Sequence, residues 1–170
     1  SYLFPLFYFS FPSLSAPFPS LLPVLNDDGI GRELDVTTAI YLTSSSPLPL
    51  PILVMSFGGT DLPSLEPALR FAVSRGAVPV AAAGNDNSDA CLFVPANSGH
   101  VVTVGAVDVG GHVAGYSNYG VCVDVWAPGT GVESVGVGEE SRESSGTRYE
   151  RRREGEEKRK GKRRERDVLW

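Results

Sequence analysis

The sequence lacks an initiator methionine and any long, uninterrupted apolar run. Residues 1–23 are rich in Ser, Leu, Phe and Pro, and five prolines interrupt the apolar core that a signal peptide or a membrane-spanning helix requires. We therefore expect a fragment without a membrane partner, whose first 23 residues form a leader outside the folded domain. Because Ser, Leu, Phe and Pro all have pyrimidine-rich codons, the leader is interpreted as translated intron; the alternative is a disordered or hydrophobic leader.

Charge is unevenly distributed along the 170 residues, a length that suffices for one domain with a hydrophobic core. Residues 1–147 carry 4 basic and 14 acidic side chains, whereas residues 148–170 carry 11 basic and 6 acidic ones. Clusters of Arg and Lys bind phosphates, but here Glu is interleaved and no domain surrounds the cluster. We therefore expect no nucleic-acid partner, and interpret the tail as disordered or as translated intron with purine-rich codons.

Residues 76–87 (GAVPVAAAGNDN) give the clearest structural signal. The small and β-branched residues from Val78 to Ala83 are typical of a buried strand in a parallel sheet, and the run ends at Gly84-Asn85. Open α/β sheets build their sites at the carboxyl ends of strands, so this position favours a functional role for Asn85. The alternative is an ordinary turn after a strand, for which Gly-Asn is equally suited.

Six further motifs accompany this stretch, and their order and spacing are informative. They are VMSFGG at 54–59, PA at 95–96, VGA at 104–106, SNYG at 117–120, APG at 127–129 and SGT at 145–147. Together with residues 76–87 they resemble the catalytic domain of subtilisin-like serine peptidases, most closely the proteinase K-like branch. The resemblance covers residues 24–147 and implies a partial peptidase domain between the leader and the charged tail at 148–170.

The fold implied by this resemblance is α/β, with a subtilisin-like parallel sheet flanked by helices, and it is incomplete in this chain. The apolar runs predict strands near 52–56, 78–83, 101–106 and 121–125, and helices near 32–42 and 64–75. We expect Asp61 or Ser64 to cap the second helix and Gly76 to end it. Residues 43–51, rich in Ser and Pro, are either a loop or a second piece of translated intron.

The three triad residues that carry out the chemistry in this family are all absent from this sequence. Subtilisin-like enzymes use an Asp, a His and a Ser in this chain order, and the Ser directly follows Gly-Thr. Here Arg148, a permanent cation without a nucleophilic oxygen, follows Gly146-Thr147. His100 and His112 lie outside any His-Gly-Thr motif and are expected to be surface imidazoles. The polypeptide as written is therefore expected not to cleave peptides, whether as a fragment of a peptidase or as a pseudoprotease that binds extended peptides.

The peptide-binding part of the site is implied by residues that match the family. Asn85 matches the asparagine whose side-chain amide donates to the developing oxyanion. Three residues would pair with an extended peptide through their backbone, or otherwise form a plain strand–loop junction: Ser56, Phe57 and Gly58. Three small residues would form one wall of the pocket for the residue before the cut, favouring apolar or aromatic groups there: Ala82, Ala83 and Gly84.

Cys91 and Cys122 occupy positions that form a disulfide in several proteinase K-like enzymes, and the alternative is two unpaired buried thiols. A bridge implies an oxidising compartment, so the family and the cysteines together imply an extracellular or secretory location. The partners implied are extended polypeptide substrates, and the chain is expected to be a monomer.

The resemblance also implies a structural calcium ion, with no cofactor required for catalysis. Its protein ligands would be the carbonyl groups of Gly99 and Val101 and the carboxylate of Asp124, with waters completing six to eight oxygens. The alternative for Asp124 is a merely solvated carboxylate at a strand–loop junction.

Overall fold

Four adjacent parallel strands form most of a six-stranded sheet in the computed structural model, which describes residues 5–9, 19–26, 30–45, 51–135 and 141–146. The elements, in chain order, are β1 Pro5–Phe9, β2 Pro19–Pro23, α1 Glu33–Ser44, β3 Ile52–Met55, α2 Leu65–Ser74, β4 Val78–Ala82, a 3₁₀ turn at Ala90–Leu92, β5 Val102–Val107, β6 Val125–Pro128, β7 Val132–Val135 and β8 Ser141–Ser144. Strands β3 to β6 pair in parallel, which confirms the predicted α/β fold with helices on a parallel sheet.

The last of these parallel strands begins later than predicted. The sequence predicts a strand near 121–125, whereas β6 spans Val125–Pro128. The cause is a turn: Gly120 has a φ of 106°, and the amide of Val123 donates to its carbonyl at 3.2 Å. The chain becomes extended only after this turn.

Two N-terminal strands extend the sheet, giving the order β2-β1-β3-β4-β5-β6. Strand β1 pairs antiparallel with both β2 and β3. The sequence did not predict β1 and β2, because residues 1–23 show neither a helix nor a strand periodicity. Backbone pairing rather than side-chain alternation defines these two strands. The division into leader, domain and tail stays a prediction, and residues 46–50 and 147–170, with Arg148, lie outside the described residues.

Helices α1 and α2 contact each other and cover one face of the sheet. Their buried side chains meet the sheet in one hydrophobic cluster that includes Val36, Ile40, Leu53, Met55, Leu65 and Leu69. None of the described helices is both long enough and apolar enough to span a bilayer.

The ends of both helices follow from specific contacts. Ser64 is the N-cap residue of α2, as predicted, but its side chain makes no cap bond; its backbone amide instead donates to the carboxylate of Glu33 in α1. Gly76, with a φ of 86°, ends α2 as predicted. Helix α1 continues to Ser44, two residues beyond the prediction, where the hydroxyl of Thr43 donates to the carbonyl of Ala39 at 2.8 Å.

The other face of the four parallel strands carries aliphatic side chains that are only partly buried. We call it the outer face, and it consists of Ile52, Val54, Val78, Val80, Ala82, Val102, Val104 and Val125. These residues alternate with the buried residues of the helix-covered face, as the pleat of a strand requires. Val78 and Val125 are 42% and 45% exposed, so apolar surface is accessible at both positions.

Candidate functional site

The carboxyl ends of β4, β5 and β6 lie at the same edge of the sheet because the three strands are parallel and adjacent. Residues 83–90 follow β4 at this edge, and we call them the site loop. Asn85 lies in this loop and is half-buried. The structure therefore puts Asn85 at the strand-end position that the sequence predicts.

One buried residue, Asn118, makes four hydrogen bonds to the site loop and is fully inaccessible to solvent. Its backbone amide donates to the carbonyl of Gly84 at 2.9 Å. Its side-chain Oδ1 accepts from the amides of Asp86 at 2.9 Å and Ser88 at 3.1 Å, and its Nδ2 donates to the carbonyl of Ala83 at 2.9 Å. Sequence reasoning used Asn118 only as part of the SNYG motif and missed this role.

The backbone at position 84 leaves no room for a side chain. Its φ of 107° lies in the region that L-residues avoid, and a Cβ atom built there would meet the side-chain amide of Asn118. The glycine at position 84 therefore allows the close approach of Asn118 beside Asn85.

The predicted peptide-binding edge lies beside the end of β4. Residues 56–58 directly follow β3, which neighbours β4 in the sheet. Phe57 is 2% exposed and belongs to the core, whereas Ser56 and Gly58 are half-buried. The next residue, Gly59, exchanges two backbone hydrogen bonds with Val94, at 2.9 and 2.8 Å, which fixes the end of this segment.

The predicted pocket wall lies at the end of β4 itself. Ala82 is the last residue of β4, and Ala83 is buried and donates its amide to the carbonyl of Val104 in β5 at 2.9 Å. Gly84 follows, held by Asn118. The structure thus brings the proposed wall and the segment 56–58 to neighbouring strand ends.

A second segment is held at the end of β6. The amide of Gly146 donates to the carbonyl of Gly129 at 2.7 Å, and the same carbonyl accepts from the hydroxyl of Tyr116 at 2.7 Å. Ser145 adds a bond from its Oγ, which accepts from the amide of Gly131 at 3.0 Å. Since β4 and β6 are two strands apart, the strand ends that precede the site loop and Gly129 are separated by roughly 10 Å across the sheet.

The two histidines each pair with a carboxylate and lie outside the site loop. Nε2 of His100 is 3.5 Å from Oε1 of Glu66, and the His100 side chain is 34% exposed. Nδ1 of His112 is 3.6 Å from Oδ1 of Asp108, with the His112 side chain 83% exposed. His112 is a surface imidazole as expected, while His100 is partly buried.

Cys91 and Cys122 form a disulfide, with their Cα atoms 5.3 Å apart, which confirms the predicted pairing. The bridge joins the 3₁₀ turn after the site loop to the turn that follows Asn118. It therefore connects the same two segments that Asn118 connects by hydrogen bonds.

The three residues predicted to bind calcium lie near the start of β5. Oδ2 of Asp124 accepts from the amide of Thr103 at 2.7 Å, and the amide of Asp124 donates to the carbonyl of Thr103 at 2.9 Å. Gly99 is exposed and Val101 half-buried just before this strand. A carboxylate and two carbonyl groups match the all-oxygen ligand set of calcium, but Asp124 also has a structural role of its own.

The comparisons with known proteins agree on one family. The model of the Subtilase family matches residues 15–158. The chain is 39% identical over 119 residues to Subtilisin-like protease 2 of Pseudogymnoascus destructans, covering 69% of this chain and 30% of that protein. It is 36% identical over 112 residues to the Extracellular serine proteinase of Thermus sp. (strain Rt41A), covering 66% of this chain and 27% of that protein.

A solved structure, described as a cold adapted subtilisin-like serine proteinase, matches with a TM-score of 0.68 and 31% sequence identity. The match covers 74% of this chain and 46% of that one. The chain thus spans less than a third of the curated relatives given above and less than half of this solved relative.

Proposed function

Since the chain belongs to the subtilase family, we propose that it is part of the catalytic domain of a serine endopeptidase and supplies the peptide-binding edge and the oxyanion donor of that domain. The observation that carries the proposal is the geometry around Asn85. This residue stands at the carboxyl end of β4, beside the segment 56–58, in a loop held by a buried side chain.

The proposed roles follow from the chemistry of each group. The side-chain amide of Asn85 would donate to the oxygen of the scissile carbonyl as negative charge develops there. The backbone of Ser56, Phe57 and Gly58 would pair with an extended peptide as an added strand. The wall made of Ala82, Ala83 and Gly84 leaves room for an apolar or aromatic side chain of the substrate.

The 170-residue polypeptide itself is not expected to cleave peptides by the triad mechanism. Arg148 follows Gly146-Thr147, where the resemblance to subtilisin-like peptidases implies the nucleophilic serine, and arginine cannot replace it. The codons offer a reason: residues 147–150 can be written ACN-AGG-TAT-GAG, which contains AG followed by GTATGAG, a typical splice-donor sequence. In that case the AG would begin a serine codon that the next exon completes.

Sequencing the transcript tests this explanation. A spliced message that encodes Gly-Thr-Ser-Met-Ala supports a peptidase whose nucleophile is interrupted at position 148. A message that retains Arg148 and the purine-coded tail contradicts it. That result favours the second candidate function, a pseudoprotease that binds extended peptides, which the formed binding edge and site loop also support.

The binding proposal is tested with the purified polypeptide and fluorescent peptides carrying an aromatic residue. We expect saturable binding, detected by fluorescence polarisation, without cleavage on mass spectrometry. Asn85→Ala should bind as the parent does, because the oxyanion donor acts mainly on the transition state. Absence of binding contradicts the role of residues 56–58. Cleavage of the peptide by the parent polypeptide contradicts the expected lack of activity.

Two further properties are proposed on the same basis. A calcium ion would be held by the carbonyl groups of Gly99 and Val101 and the carboxylate of Asp124, and would stabilise the start of β5. The protein would be extracellular or secretory. The disulfide and the name of the Thermus relative, an extracellular proteinase, support this location.

A further inference from the structure

We infer that Asn118 is the positioning residue of the candidate site: it fixes the loop that carries Asn85 without itself touching the substrate. The inference rests on the role proposed for Asn85, and it adds a second residue on which that role depends. Its basis is a set of four hydrogen bonds from one buried residue to both sides of Asn85.

The bonds of Asn118 bracket Asn85 along the chain. On the amino-terminal side, its backbone amide donates to Gly84 and its Nδ2 donates to Ala83, both at 2.9 Å. On the carboxyl-terminal side, its Oδ1 accepts from the amides of Asp86 and Ser88. The backbone on both sides of Asn85 is therefore fixed by hydrogen bonds to the side chain and the backbone amide of Asn118.

An asparagine side chain suits this position because it supplies an acceptor and a donor at once. Oδ1 accepts two backbone amides while Nδ2 donates to one carbonyl. An alanine at position 118 would deprive all three backbone groups of their partner. An aspartate would keep the acceptor for Asp86 and Ser88 but could not donate to Ala83 as an anion.

Asn118 is itself held by the rigid part of the fold. The hydroxyl of the preceding residue, Ser117, accepts from the amide of Ala106 in β5 at 3.0 Å and donates to the carbonyl of Asn118 at 2.9 Å. Ser117 is fully buried, like Asn118. A chain of buried hydrogen bonds thus connects β5 to the site loop through Ser117 and Asn118.

The test compares Asn118→Ala and Asn118→Asp with a control, Asn97→Ala. Asn97 is an exposed asparagine whose Nδ2 makes one long bond, 3.4 Å, to the carbonyl of Cys91. Amide hydrogen exchange is measured at Asp86 and Ser88, with Met55 and Leu69 as reference amides in the core. The NMR signal of the Asn85 side-chain amide is recorded in each variant, and the affinity for an extended fluorescent peptide is measured.

In Asn118→Ala we expect exchange at Asp86 and Ser88 to rise by at least about tenfold, the equivalent of one lost hydrogen bond. Exchange at Met55 and Leu69 should stay unchanged, and the side-chain amide signal of Asn85 should shift and broaden. Asn118→Asp should restore protection at Asp86 and Ser88, because it keeps the acceptor. The control should change none of these.

Two results would overturn the inference. An Asn85 signal that is unchanged in Asn118→Ala shows that Asn118 does not position it. Exchange that rises equally at the reference amides, including through complete unfolding, assigns Asn118 a general structural role. Failure of the parent chain to bind peptide would contradict the proposed function instead, and the NMR and exchange results would still decide the role of Asn118.

Discussion

The side-chain amide of Asn118 occupies the space where a Cβ atom of Gly84 would stand. The same amide donates to the carbonyl of Ala83, and the backbone amide of Asn118 donates to Gly84. Asn118 thus both packs against Gly84 and makes hydrogen bonds to Ala83 and Gly84. A glycine at position 84 is required by its neighbour as well as by its own backbone angle.

Gly84→Ala is expected to lower the free energy of unfolding by about 2–4 kcal/mol, since it combines backbone strain with a steric clash. Gly76→Ala is the matched control, because Gly76 also has a positive φ but has nothing within 4 Å of its Cβ position. The control should cost about 1 kcal/mol, from strain alone. Urea unfolding measures both, and equal losses would contradict the clash with Asn118.

Reduction of the disulfide between Cys91 and Cys122 is expected to destabilise the chain by about 3–4 kcal/mol, the chain-entropy cost for their sequence separation of 31. Urea unfolding with and without reductant measures the loss. The double variant Cys91→Ser/Cys122→Ser should have the stability of the reduced parent chain, with and without reductant. A reductant effect of the same size in the double variant would show that the bridge is not its cause.

Calcium is expected to raise the melting temperature of the parent chain, by the equivalent of about 2.7 kcal/mol at a hundredfold excess over the dissociation constant. Asp124→Asn should abolish this rise because it removes the ligand charge, while its amide oxygen can still accept from Thr103. Asp35→Asn, at a carboxylate in α1 that pairs with Arg32, is the control. A calcium response that survives in Asp124→Asn would rule out this site.

Acid should weaken the turn that follows β5. The backbone amide of His112, and to a lesser extent that of Gly110, donates to Asp108 and lowers the pKa of its carboxyl group below the ordinary value of 3.8. The stabilisation is therefore complete above the unfolded-state pKa and is lost as the pH falls through the lower folded-state value.

Urea unfolding of the parent chain and Asp108→Asn between pH 7 and pH 2 measures this effect. The difference in stability between the two should shrink as the pH falls below about 4, since the carboxyl group becomes protonated in both the folded and unfolded states. A difference that stays constant over the whole range would show that the charge of Asp108 makes no contribution.

The outer face of the sheet is expected to bind a hydrophobic dye such as ANS, because aliphatic side chains are accessible there. Val78→Lys and Val125→Lys place a charge at positions that are 42% and 45% exposed, and should reduce the fluorescence. Val109→Lys changes a residue that is 95% exposed outside this face, and serves as control. Equal fluorescence in all variants would show that the dye binds elsewhere.

The elements that the sequence predicts best are those with a strong local pattern. Strand β4 is a run of small and β-branched residues that ends at Gly84-Asn85, and α2 has an apolar face and a glycine at its end. Their positions follow from periodicity and turn chemistry alone. The disulfide, in contrast, was predicted from resemblance to a family, because spacing alone does not fix a cysteine pairing.

The remaining features depend on contacts between distant parts of the chain. Asn118 is important because its partners lie 30 to 35 residues away, a relationship that no local pattern encodes. Strand β1 forms by backbone pairing with residues 52–54 of β3, without a periodic pattern of its own. Strand β6 begins later than predicted because the chain turns at Gly120. The valines at 121, 123 and 125 favoured a strand there and gave no sign of the turn.

The separation of 35 residues between Ala83 and Asn118 also constrains the order of folding events. Strand β4 and the first residues of the site loop are synthesised before Asn118, so the loop has no such anchor in a nascent chain that ends before residue 118. Closing a segment of this length is an entropic cost that local structure does not offset. The site loop consequently depends on a non-local contact, and a chain shortened before residue 118 would lose the common partner of Ala83, Asp86 and Ser88.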